Sequence, residues 1–135
     1  MTGILDAGAA AELILGREKR AEIAGILRLY TWIAAPRIYL YELSELLRIY
    51  NRWLELSPAE LGGIVETAAG LIDEFLDDIE LIPDALTFAD ECGTSLSGGF
   101  YCAAAKIRSG VLISLDSKLR SAARTIGITT AESLG

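Results

Sequence analysis

SGGFYCAAAKIRSGVLISLDSKLRSAA, residues Ser97 to Ala123, holds the pattern that decides the fold. Its first half is a small-residue helix. A short apolar run follows, Val111 to Leu115, and stops at an acid, Asp116, ahead of a second helical segment. The order is helix, strand, helix, with a carboxylate at the strand's carboxyl end. In an open parallel sheet that edge is where ligands bind, because strand ends and helix starts leave a crevice lined by amides and side chains. Asp116 is thereby a candidate site residue. The same position suits it to cap the helix that follows, and the sequence leaves both roles open.

The start of the chain repeats the arrangement. Gly3, Ile4 and Leu5 lead into Asp6, and AGAAAELIL then has the small, apolar composition of a helix packed tightly on a sheet. Two strands ending in Asp suggest carboxylates gathered at one sheet edge, as a hard divalent cation such as magnesium requires.

Between these ends the chain alternates. REKRAEIAGILRLY reads as a second helical piece with Ile23, Ile26 and Leu27 inward, and TWIAAP, Thr31 to Pro36, as a second strand ending at the same edge. RIYLYELSELLRIYNRWLEL carries Leu40, Leu43, Leu46, Leu47, Tyr50, Trp53 and Leu54 at helical spacing, with Glu42 and Glu45 in its first turns. Ser57, Pro58 and Glu60 start a helix expected to run to about Leu76. IELIP, Ile79 to Pro83, reads as the third strand, and DALTFADECG as a helix capped by Asp84 and closed by Gly93. Val111 to Leu115 is the fourth strand, and ITT around Ile128 a short fifth. Alternation with short connections predicts an α/β fold: one domain over residues 1–135, a parallel sheet of about five strands, and helices on both faces.

Composition narrows the chemistry. A chain of 135 residues with 52% hydrophobic content and mean hydropathy +0.38 is long and apolar enough to bury a core. There is no His, and Cys92 and Cys102 lack metal-ligand spacing, so zinc sites and His-dependent catalysis are set aside. The two cysteines suit buried thiols in a reducing cytoplasm. MTGILDAG has no basic region ahead of its apolar part, and no apolar run approaches bilayer-spanning length, so neither export nor a membrane is expected. The net charge of -7 is unevenly spread: no Lys or Arg stands between Trp53 and Gly98, whereas Lys106, Arg108, Lys118, Arg120 and Arg124 enrich the last third. That asymmetry is open to two readings, a basic rim near the site or ordinary solvated helix faces. The aromatics Tyr30, Trp32, Tyr39, Tyr41, Tyr50 and Trp53 are likewise open to core packing or an interface, with core packing expected for most.

Together ILDAGA, PRIYLYELSELL, GTSLSGGFYCAAAK and LISLDSKLRSAARTIGI, in this order and spacing, resemble the PIN domains, and most closely the VapC-type toxins of toxin–antitoxin pairs. The resemblance implies an endoribonuclease holding Mg2+ or Mn2+, with Asp6, Glu42 and Asp116 matching the family's first, second and fourth acids as metal ligands and catalytic residues. It also implies a small antitoxin as protein partner, RNA as substrate, and frequent homodimers. Two positions depart from the pattern. Gly98 stands where the family usually has its third acid, and Gly8 where Ser, Thr or Asn is common. Both remove side-chain oxygen from the expected metal site, so a degenerate PIN domain that binds RNA or protein without cutting is the alternative. A phosphoacceptor receiver domain, using Asp6, Asp84 or Asp116, fits less well, since Asp84 follows a proline and reads as a helix cap.

Overall fold

The computed structural model describes residues 1–132. Four strands form a parallel sheet: β1 (Thr2–Leu5), β2 (Trp32–Pro36), β3 (Glu74–Leu76) and β4 (Val111–Ile113), in spatial order β3-β2-β1-β4. Among the described residues seven helices cover it: α1 (Ala7–Ile14), α2 (Arg20–Leu27), α3 (Ile38–Leu54), α4 (Pro58–Ala69), α5 (Asp78–Cys92), α6 (Leu96–Arg108) and α7 (Ser117–Thr125). The order reverses between β1 and β4, and their carboxyl ends open the crevice that such a reversal produces.

Strand alternation divides the core. Leu5, Ile33, Ala35 and Ile113 point to one face, where they pack with α1 to α4 through residues such as Ala10, Ile23, Leu43 and Ala68. Ile4, Ala34 and Leu112 point to the other, against Leu81, Ala85 and Phe88 of α5, Phe100 and Ala104 of α6, and Leu119 of α7. The result is an α/β/α sandwich with helices on both faces. No helix among the described residues is long and apolar enough to cross a membrane.

Three expectations need correction. The third strand is not Ile79–Pro83: those residues lie inside α5, and β3 is the preceding EFL, paired with Ala34, Ala35 and Pro36. Asp77 occupies the N-cap position, and Asp78 and Glu80 place acids in the first turn, where the helix dipole favours them. Pro83 sits on the exposed side of the helix, with Ile79 one turn earlier also open to solvent. Asp84 accordingly lies within α5 and caps nothing, while Gly93 does close the helix in the left-handed conformation glycine tolerates, at φ 67°. The helix expected to reach Leu76 ends at Ala69; Leu71, Ile72, Phe75 and Leu76 carry the apolar pattern on across a turn and into β3, which is why the sequence reads as one longer helix. The parallel sheet with helices on both faces stands as expected, with four strands among the described residues against about five; the segment after Ile128 adds one parallel bridge, Leu112 to Thr130, beside β4.

The hairpin of α5 and α6 is unusually close. A methyl group on Gly99 would overlap the carbonyl oxygen of Ala85 and lie 3.1 Å from its carbon, so only glycine lets these backbones meet. Gly98 differs. A Cβ there would stand 3.1 Å from Leu119 Cδ1, the end of a side chain that can yield, and 3.2 Å from Thr94 Cβ, which moves only with its backbone.

A candidate carboxylate site at the sheet edge

Asp6 follows β1 and begins α1. Its backbone N–H donates to the Ile113 carbonyl at 3.1 Å, tying it to the end of β4, and its Oδ1 accepts from the Ala9 N–H at 2.9 Å as the helix cap. Asp116 caps α7 in the same way, its Oδ1 accepting from the N–H groups of Lys118 at 3.0 Å and Leu119 at 3.2 Å. Capping and facing the crevice are compatible, because a cap occupies one carboxylate oxygen. Glu42 enters from the second turn of α3.

All three acids line one cavity of about 1090 Å³ at the carboxyl edge of the sheet. Glu45 and Glu91 add further carboxylates, and Lys118 is the basic residue on its wall. Gly98 lies on the wall too, with Ser97 and Tyr101. Gly8 is beside Asp6: a Cβ on it would be 3.7 Å from Asp6 Oδ1 with no other close neighbour, so a hydroxyl-bearing side chain has room there.

Asp6 is buried, whereas Glu42 is half-buried and Asp116 exposed. Burial pushes the Asp6 carboxyl from its ordinary 3.8 up to about 6; the Ser114 hydroxyl and the Ala9 amide oppose this, and the charges of Glu42 and Asp116 add to it. Ser114, fully buried, links two of the acids: its Oγ accepts from the Asp116 N–H at 3.0 Å and its hydroxyl serves Asp6. Behind it the buried Arg120 donates to the Ser114 carbonyl at 2.9 Å, fixing the turn that carries both Ser114 and Asp116.

Tyr101 was not foreseen as part of the site. Its hydroxyl accepts from the Ala7 N–H at 3.2 Å and donates to Glu42 Oε1 at 2.7 Å. The signal was present: one large, polar-tipped residue in a helix of glycines and alanines needs a partner for its hydroxyl once buried. Burial and the facing carboxylates hold its phenol well above the ordinary value, so it stays a proton donor.

The basic residues of the last third do not form a rim. Lys106 pairs with Asp84 and Arg108 with Glu74, Arg120 is buried, and Arg124 reaches the Thr130 hydroxyl. Of the five, Lys118 alone faces the cavity. Asp84, paired on a helix face, lies off this cavity's wall and does not join Asp6 and Asp116 there. The aromatics also divide differently from expectation: Tyr39 is buried and Tyr30 and Tyr50 partly so, while Trp32, Tyr41 and Trp53 are exposed.

The donor set is hard oxygen, the kind magnesium and manganese take. Among the described residues no group of three or more acidic or thiol side chains is disposed to hold a metal ion. Magnesium commonly uses one or two carboxylates and keeps several waters. The residues present therefore fit one such ion, held through one or two carboxylates, and do not fit a pair.

No family model matches this sequence, and no curated protein matches it. Solved structures do. The fold is PIN-like, and similar structures include PAE2754 from Pyrobaculum aerophilum, 19% identical over 99% of this chain and 95% of that one, with a TM-score of 0.73. FitAcB from Neisseria gonorrhoeae is 18% identical over 95% of each chain, with a TM-score of 0.56. At these identities the likeness is one of fold.

Proposed function

We propose that this chain is a metal-dependent endoribonuclease of the VapC kind, the toxin of a toxin–antitoxin pair, working with a single Mg2+ or Mn2+. The observation that carries the reading is the convergence of Asp6, Glu42 and Asp116 on one cavity where β1 and β4 end. From these three would come the one or two carboxylates that hold the ion. When bound, the cation would lower the pKa of a water and offset phosphate charge. Lys118, on the cavity wall, would meet an RNA phosphate, and Ser114 would keep Asp6 and Asp116 in fixed relation. Without a cation the acid-lined wall repels RNA, so binding should require the divalent ion. The same wall suits a cationic segment of a small antitoxin, and the exposed Tyr41, Ile49 and Trp53 of α3 offer a surface for a homodimer, which solution size measurement would test. The free thiols of Cys92 and Cys102 are consistent with a cytoplasmic setting.

A second reading, a PIN-like domain that binds RNA or a protein without cutting, is favoured by Gly98, Gly8 and the lack of any three-acid group among the described residues. Gly98→Asp separates the two. An acid in the first turn of α6 suits the helix dipole, but its Cβ must displace Leu119 and Thr94 by a few tenths of an ångström, a packing effect of roughly 1 kcal/mol. The variant is expected to fold, to bind manganese more tightly than the parent, and to cut single-stranded RNA faster, with Gly98→Asn gaining much less. Adding Leu119→Ala relieves the contact if packing masks the gain. Cleavage by the parent that Asp6→Asn abolishes supports the nuclease; no cleavage by parent or Gly98→Asp, and no melting shift with magnesium or manganese, favours the binding module.

A further inference from the structure

We infer that Tyr101 is a positioning residue that holds the Glu42 carboxylate against Asp6, an inference that rests on the carboxylate site proposed above. Three elements meet at its hydroxyl. Tyr101 stands on α6, Glu42 on α3, and Ala7 is the first residue of α1, directly after Asp6. The donor assignments are forced: the Ala7 N–H can only donate and the ionised carboxylate can only accept, so the one hydroxyl proton points at Glu42. Short O–H···O⁻ bonds of this kind are among the stronger hydrogen bonds, and this one is 2.7 Å.

The geometry gives that bond a purpose beyond filling the core. Glu42 is half-buried on a solvent-facing helix edge, and its charge faces that of Asp6. A flexible glutamate repelled by a neighbouring carboxylate would turn toward water. Tyr101 opposes this from a rigid place, being 2% exposed and set between Gly98, Gly99 and Ala103 to Ala105, whose small side chains seat α6 tightly. Because the same oxygen takes the Ala7 N–H, the distance from Glu42 to the start of α1, and so to Asp6, is set by one atom. A packing role alone would be met by phenylalanine.

Tyr101→Phe keeps the ring and removes the bond. In metal-free protein the Glu42 carboxyl carbon and the Ala7 amide should shift in NMR spectra, with other core amides unchanged. Glu42→Gln should shift the Ala7 amide from the other end of the same link. Manganese affinity should then fall about tenfold in Tyr101→Phe, as for outer-shell partners of metal ligands. In the Glu42→Gln background Tyr101→Phe should change it no further. An unmoved Glu42 carbon, or unchanged manganese affinity in a folded Tyr101→Phe, overturns the inference. If the parent binds no manganese, the metal reading falls. Positioning is then decided by the two NMR signals alone, standing if they shift and failing if they do not.

Discussion

In the presence of a chelator at pH 7, Asp6→Asn should melt at a higher temperature than the parent. The buried Asp6 carboxyl titrates near 6 in the folded protein against an ordinary 3.8, so its ionised form is disfavoured by about two pK units, roughly 2–3 kcal/mol. Asparagine keeps an oxygen for the Ala9 N–H and is as good a cap. The pH dependence has a definite sign. Between about pH 4 and 6 the folded state still holds the Asp6 proton while the unfolded chain has released it, so this group's contribution to stability falls as pH rises through that window. The parent should therefore approach the variant's stability near pH 4 and lag behind it above pH 6. Thermal melts of both proteins between pH 4 and 8 would check this, the difference cancelling the other acids. A variant less stable than the parent at pH 7 would show that the Asp6 charge is better compensated than its burial indicates. The same substitution should abolish divalent-ion binding, placing stability and function in opposition at one residue.

Gly99→Ala should be the more damaging change at the adjacent pair of glycines. Its methyl meets the Ala85 backbone, which cannot turn aside as a side chain does, so α5 and α6 must part along their contact. The expected loss is roughly 2–3 kcal/mol, the upper part of the usual range for overpacking a tight core. Gly62→Ala provides the control: nothing lies within 4 Å of its Cβ, and alanine in that exposed helix should add about 0.5–1 kcal/mol. Urea unfolding of the two variants beside the parent would measure both signs. A Gly99→Ala protein as stable as the parent would mean that the helix pair adjusts without penalty.

Local pattern carried much of the architecture. Ser57, Pro58 and Glu60 form the capping box their spacing indicated, because a cap involves residues three apart and needs no distant partner. The apolar runs before Asp6 and Asp116 become β1 and β4, buried on both faces as hydrophobic strands of a parallel sheet are. IELIP misled for the complementary reason. Its composition suits a strand, but EFL beside it reaches the hydrogen-bonding edge of β2, and three residues are too few to show a period.

What the sequence determined by itself was the alternation of strands and helices and the placing of Asp6 and Asp116 where strands end, since both follow from neighbours along the chain. Only the tertiary structure decided what those carboxylates face. Burial of Asp6 arises from elements far apart in sequence, and the Tyr101–Glu42 bond joins residues 59 positions apart. The unequal roles of Gly98 and Gly99 depend on whether Leu119 or the Ala85 backbone stands opposite. Such facts come from which surfaces meet across the fold, and no periodicity encodes them, because hydrogen bonds and packing act on distance in space rather than along the chain.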